Sequence, residues 1–229
     1  MNRAHGGKNA EGTWQWLLGL MPTHGRYVEP FVRSGALLRR KVPALESVVC
    51  DLDDDVVAHW RRVKFPGVVV HHGCGIAWLR EHADELDADA LVYADPPYLP
   101  ETRVRKKLYK HEMTVADHVE LLRVLRSLRC RVMLSGYASK LYDDALAGWA
   151  RHEREVMTRG HTWRTEILWC NFSPADVVDY VPRRPGRDHR ERDRIRKRLL
   201  RWSGKFAGMP DYERRAVLAA LLRAEQAAR

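Results

Sequence analysis

Asp95, Pro96, Pro97 and Tyr98 stand in an unbroken row, and their types suit a site that holds a planar base by its amino group. An ionised carboxylate accepts on both oxygens. Two prolines forbid both a continued strand ladder and an immediate helix, so the chain must leave as a stiff, extended loop whose carbonyls no ladder satisfies. The Tyr98 ring adds a stacking face. A plain Pro-Pro turn with a capping aspartate is the alternative, and the row by itself leaves both open.

The elements around the row decide where it sits. Leu91, Val92 and Tyr93 suit a short buried strand, which puts the loop at a strand's carboxyl end, where open α/β sheets bind their ligands. Earlier, Tyr27 and Val28 read as a strand ended by Glu29-Pro30, and Ser34-Gly35 turn the chain into a helix beginning near Ala36. Strand, small-residue turn and helix form the local pattern of a nucleotide site. The next strand, Val48 to Asp51, ends on a carboxylate placed to accept from two ribose hydroxyls. Asp54 and Asp55 read instead as an acidic helix start.

Val68 to His71 reads as a third strand, followed by a loop with Gly73, Cys74 and Gly75 and a helix from Ile76 to Glu85. Thr114 caps a later helix with Asp117 at the capping-box position, and Leu121, Leu122, Leu125 and Leu128 give it a core face. Arg131 to Leu134 is a strand, Tyr142 to Trp149 a helix, and the segments near Glu153–Thr158 and Thr165–Phe172 alternate as an edge hairpin. Thr13 to Met21 forms the opening helix. The predicted fold is α/β, a mostly parallel, doubly wound sheet with helices on both faces. The amino-terminal His5-Gly6-Gly7-Lys8 lets the backbone approach a ligand and lets Lys8 reach an anionic group, a flexible tail being the alternative.

Composition limits the function classes. In 229 residues, 45% are hydrophobic and the formal net charge is +10, which gives a real core and favours a polyanionic partner such as nucleic acid. Arg103, Arg105, Lys106 and Lys107 follow the Pro-Pro loop and form a candidate phosphate clamp, or else a solvated charged loop. Cys50, Cys74, Cys130 and Cys170 are widely spaced with no histidine at metal-ligand spacing. They read as buried thiols of a reducing cytoplasm, with no metal site. No apolar run suits a membrane span or a signal peptide.

Taken together, these motifs resemble the Dam-like class of adenine-specific DNA methyltransferases. The resemblance runs from about Gly6 to Phe172. It rests on Gly6-Gly7-Lys8, on Tyr27 to Phe31 with Ser34-Gly35, and on Asp51. It also rests on Asp95-Pro96-Pro97-Tyr98, Ser135-Gly136-Tyr137 and Glu166-Ile167-Leu168-Trp169. It implies a Rossmann-like fold that uses S-adenosylmethionine. It implies that Lys8, Glu29, Pro30, Phe31, Ser34, Gly35, Asp51, Cys74 and Asp95 line the cofactor. It further implies that Asp95 and the Pro96 carbonyl accept from the adenine amine while Tyr98 stacks on the flipped base. Arg33 stands where the family's loop often has a glycine; it would either point into the pocket or turn outward to phosphate.

Only His72 to Ala90 lies where larger family members carry a target-recognition insert, so short or relaxed sequence specificity is expected. Residues 1–182 form the expected catalytic domain and 183–229 a basic helical extension, with Arg194 and Arg198 as phosphate contacts and Ile195, Leu199 and Trp202 on one apolar face. A second helix follows from Asp211, with Val217, Leu218, Leu221 and Leu222 apolar. The expected partner is DNA, bound by a monomer. RNA adenine or cytosine amino methylation is one alternative, and a degenerate methyltransferase kept as a nucleic-acid-binding module is another.

Overall fold

The computed structural model describes residues 8, 12–103, 109–157 and 163–173, together with residues 194, 197, 198, 201, 202, 204–210, 212–214, 217, 220 and 221. The chain divides into two compact units, Met1–Tyr180 and Val181–Arg229.

In the first unit the elements run α1 (Thr13–Gly19), β1 (Arg26–Glu29), β2 (Glu46–Asp51), α2 (Asp54–Val63), β3 (Val68–His72) and α3 (Gly75–Glu81). They continue as β4 (Ala90–Ala94), α4 (Val115–Ser127), β5 (Arg131–Gly136), α5 (Lys140–Ala145), β6 (Ala150–Met157) and β7 (Trp163–Cys170). The seven strands form one sheet in the order β3-β2-β1-β4-β5-β7-β6. β1 to β5 pair in parallel. β7 inserts antiparallel between β5 and β6.

Alternation along the strands builds two cores. Val28, Val48, Val92, Ala94, Val132 and Leu134 face one side, where Leu79, Leu121, Leu125 and Tyr142 from α3, α4 and α5 cover them. Tyr27, Val49, Leu91, Tyr93 and Met133 face the other, beneath Leu17 and Leu18 of α1 and Trp60 of α2. β4 is buried along its whole length, as a central parallel strand covered on both faces must be. The chain passes outward from β1 to β2 and β3, then returns to β4 on the other side of β1. The carboxyl ends of β1 and β4 therefore flank the switch point where ligands bind in such sheets.

Local chemistry sets several boundaries. Thr114 and Asp117 make the expected capping box, with Thr114 N donating to Asp117 Oδ2 at 2.8 Å and Asp117 N to Thr114 Oγ1 at 3.2 Å. Asp53 caps α2 by accepting from Asp55 N at 3.0 Å, and Asp54 and Asp55 occupy its first turn, where carboxylates oppose the helix dipole.

Three expectations are corrected. No α-helix begins at Ala36: residues 33–41 form successive turns, held by Arg39 N to Gly35 O at 3.1 Å and Lys41 N to Leu37 O at 2.8 Å. Pro43 follows too closely for a helix to propagate. The helix expected to reach Glu85 ends at Glu81 and is followed by a single 3-10 turn, Ala83–Glu85. The helix expected over Tyr142–Trp149 instead spans Lys140–Ala145, with Ser139 as its cap. The closing hairpin forms at the sheet edge as expected, from β6 and β7, with β6 outermost.

In the second unit, residues 194, 197, 198, 201, 202 and 204–207 are helical, as are 212–214, 217, 220 and 221. Pro210 starts the second run, its carbonyl accepting from Glu213 and Arg214. Trp202, of the expected apolar face, is 53% exposed, and Leu221 is 56% exposed; the Lys205 ammonium lies 6.0 Å from the Trp202 ring centroid. Ile195, Leu199, Leu218 and Leu222 lie outside the described side chains.

Candidate active site

β4 ends at Ala94, and Asp95 is the first residue beyond the ladder. The Lys8 ammonium lies 3.0 Å from Asp95 Oδ1 and also contacts Glu166 Oε1 and the Tyr98 hydroxyl. The side chains of Lys8 and Glu166 are only 8% and 5% exposed, against 25% for Asp95. Asp95 is therefore the open member of a buried cluster of two carboxylates and one ammonium.

Burial alone would lower the Lys8 pKa. The negative charges of Asp95 and Glu166 overcome that and hold it well above the ordinary lysine value, so Lys8 is a fixed cation here. Burial, and then Asp95 and Glu166, push the Tyr98 phenol well above its ordinary value, so it stays a neutral donor. Its hydroxyl accepts from Lys8 and faces Glu166 Oε1 at a long 3.5 Å.

The Tyr98 ring meets the Tyr137 ring edge-on, with centroids 4.7 Å apart. Lys8 Nζ lies 5.1 Å from the Tyr98 centroid. Because it bonds the hydroxyl, that distance puts it beyond the rim of the ring rather than over a face. The Arg164 guanidinium lies 4.9 Å from the Tyr137 ring centroid and donates to the Thr102 carbonyl at 2.6 Å. β5, β7 and the loop after β4 are joined by these contacts.

Glu29, at the end of β1, is buried and accepts from the Tyr27 hydroxyl at 3.0 Å. Burial, with Asp95 nearby, raises its pKa to about 8. Pro30 packs so closely on the start of α3 that a methyl group at Gly75 would come within 2.1 Å of its carbonyl oxygen. Phe31 packs against the core on the α3 side. Gly35 has φ 58° and its α-carbon faces the Trp60 ring. Ser34 is exposed, and its carbonyl accepts from Arg39 Nε at 3.0 Å.

Asp51 accepts one backbone amide on each oxygen, from Arg33 at 2.9 Å and from Asp53 at 3.0 Å. Each oxygen keeps a further lone pair, so the carboxylate can still accept from two neighbouring hydroxyls. Arg33 adopts φ 41°, and its guanidinium stacks on the Tyr109 ring at 4.7 Å. Cys74 is the N-cap of α3 and its thiol is exposed, unlike those of Cys50, Cys130 and Cys170. The expectation of four buried thiols is corrected for Cys74, which sits on a loop rather than in a strand.

Arg103 does not stand out as a phosphate clamp. It is buried, pairs with Glu112 through both Nη atoms at 3.1 and 2.7 Å, and lies 5.2 Å from the Tyr109 ring. The acid that neutralises it lies nine positions onward, beyond the basic run. Arg105, Lys106 and Lys107 lie outside the described residues. In the second unit Arg194, Lys197, Arg198 and Arg201 line one concave face.

Sequence reasoning gave Glu166 no role. Glu166 entered only as the first residue of the Glu166-Ile167-Leu168-Trp169 motif; the signal for a role is a carboxylate heading the buried run Ile167 to Cys170, where an unpaired charge would be costly. Among the described residues no group of His, Cys, Asp and Glu is arranged to hold a metal, and no helix is long and apolar enough to cross a membrane.

The model of the D12 class N6 adenine-specific DNA methyltransferase family matches residues 79–159. That stretch contains the Asp95–Tyr98 loop and omits Lys8, Asp51 and Glu166. No curated protein matches the sequence. Similar solved structures include a SAM-dependent methyltransferase from Agrobacterium tumefaciens, with TM-score 0.47 and 12% identity over 69% of this chain and 61% of that one. Spermidine synthase from Thermotoga maritima gives 0.48 and 12% over 71% and 59%. TrmN from Thermus thermophilus gives 0.48 and 20% over 71% and 50%. This chain thus spans less than two thirds of the length of each. The strand order with β7 antiparallel is that of the Rossmann-like methyltransferase fold.

Proposed function

We propose that this chain transfers a methyl group from S-adenosylmethionine to the exocyclic amine of adenine in DNA. The observation that carries this reading is the partly exposed Asp95 carboxylate at the carboxyl end of β4, beside the switch point and within the stretch that matches the adenine methyltransferase family.

Asp51 would hold the ribose, with the turn from Glu29 to Gly35 and the start of α3 around the rest of the cofactor. Bound there, S-adenosylmethionine supplies a methyl group already activated by its sulfonium, so the protein's task is alignment and electrostatics. Asp95 keeps Oδ2 for the substrate, because Lys8 engages Oδ1. The Asp95 carboxylate and the Pro96 carbonyl accept from the amine and stabilise the positive charge that grows on its nitrogen. A Tyr98 ring face stacks on the extruded base and offsets part of the stacking lost from the duplex. The cationic face of Arg194, Lys197, Arg198 and Arg201 supports a phosphate-bearing substrate.

The test is transfer of labelled methyl groups to duplex DNA, single-stranded DNA and structured RNA, followed by nucleoside analysis. N6-methyladenine from DNA, lost in Asp95→Ala with most DNA binding kept, is the expected result. Label on RNA alone would change the substrate. No transfer and no binding of S-adenosylmethionine would leave a degenerate binding module as the better account.

A further inference from the structure

We propose that Glu166 is a positioning residue that keeps the Asp95 cluster anionic by neutralising Lys8. The inference rests on the functional reading above and deepens it. The Lys8 ammonium contacts Asp95, Glu166 and the Tyr98 hydroxyl together. With Glu166 in place, two carboxylates face one ammonium and the cluster carries a net charge of about −1. Without Glu166, Asp95 and Lys8 would form a neutral pair, and the field that Asp95 exerts on a substrate amine would be quenched by a cation 3.0 Å away.

That difference matters at the reacting atom. Methyl transfer to an amine places positive charge on nitrogen, and the transition state is favoured only by groups whose field there is negative. A buried lysine beside the accepting carboxylate opposes that charge. It serves a second purpose, since it pins Asp95 Oδ1 and the Tyr98 hydroxyl at one point. Glu166 reconciles the two: the lysine orients the acceptor and the stacking ring while its charge is spent on Glu166. The placement favours this role over direct contact with substrate, because Glu166 is nearly fully buried and Asp95 is the more open carboxylate.

Compensation between charges provides the test. Steady-state methyl transfer to DNA and thermal melting would be measured for the wild type, Glu166→Gln, Glu166→Asp and the double variant Lys8→Met with Glu166→Gln. Glu166→Gln should lower kcat about tenfold to a hundredfold while KM for DNA changes less than about threefold. Glu166→Asp, which keeps the charge, should recover most of the loss. The double variant, which removes both opposing charges, should exceed Glu166→Gln by about tenfold although it has lost more contacts.

A purely structural Glu166 predicts the reverse order, with the double variant the weakest. Full activity in Glu166→Gln, or a double variant no better than Glu166→Gln, overturns the inference and leaves the function intact. So does a Glu166→Gln chain that fails to fold, because it assigns Glu166 to stability. A folded wild type that methylates nothing overturns the functional reading and this inference with it.

Discussion

The backbone amide of Arg33 donates to Oδ2 of Asp51 at 2.9 Å, tying the turn after β1 to the tip of β2. The carboxylate expected to hold a ribose thus also shapes the turn that would surround the cofactor. Asp51→Ala should release the Arg33 and Asp53 amides together. It should weaken S-adenosylmethionine binding by at least about tenfold and lower stability by about 1–3 kcal/mol. Calorimetric titration and urea unfolding would check both. Unchanged cofactor affinity would remove Asp51 from the site.

Gly35 should tolerate no side chain. Its φ of 58° is left-handed, and an added methyl carbon would lie 2.3 Å from the buried Trp60 ring. The ring is fixed by Nε1 donating to the Arg33 carbonyl at 3.0 Å and by the Arg39 guanidinium 4.3 Å from it. Gly35→Ala should cost about 2–4 kcal/mol in urea unfolding. A loss below 1 kcal/mol on the order expected for an ordinary surface change would show that the turn is free to move.

The stability of this protein should rise from acid toward neutral pH. Burial lowers the pKa of His118 and of His24 to about 4. A histidine depressed in the fold contributes stability that is full above about 6.5 and is lost as pH falls through 4. Glu29 has the opposite sign: raised to about 8, its contribution is present below about 4.5 and lost as pH rises through 8. Replacing His118, whose Nδ1 meets the Tyr142 hydroxyl at 2.8 Å, removes one of these groups. Relative to wild type, His118→Asn should flatten the slope of unfolding free energy between pH 4 and 6.5 by up to about 1.4 kcal/mol per unit. Parallel curves would show that His118 titrates alike in both states.

Charge reversal on the second unit should separate binding from catalysis. Arg194 and Arg198 lie on the same cationic face. Arg194→Glu with Arg198→Glu should weaken DNA binding and lower the dependence of log K on log salt by roughly two charges. Transfer at saturating DNA should be kept. An unchanged salt slope would place the phosphate contacts elsewhere.

Much of the scaffold was legible because its signals are local. The continuous apolar runs of β2 and β4 and the Thr114–Asp117 box each specify an element within a few residues. Asp51, the last residue of β2, and Asp95, the first beyond β4, followed, since strand ends locate them. What sequence reasoning missed depends on distant partners. Arg103 reads as exposed in a basic run, yet Glu112 and the Tyr109 ring bury it. The turns of residues 33–41 look helical until Trp60 and Pro43 are set against them. Glu166 becomes meaningful only once β7 lies antiparallel beside β5 and its side chain meets Lys8.

Lys8 precedes the first strand and Glu166 lies in the last, yet both close on a loop from the middle of the chain. A chain synthesised only as far as β5 holds Lys8 and Asp95 but not yet Glu166. At that stage the lysine would meet the acceptor without its counter-charge. On the proposed reading, the counter-charge would arrive only with β7, so the centre of the fold would be laid down before the charge balance that tunes it.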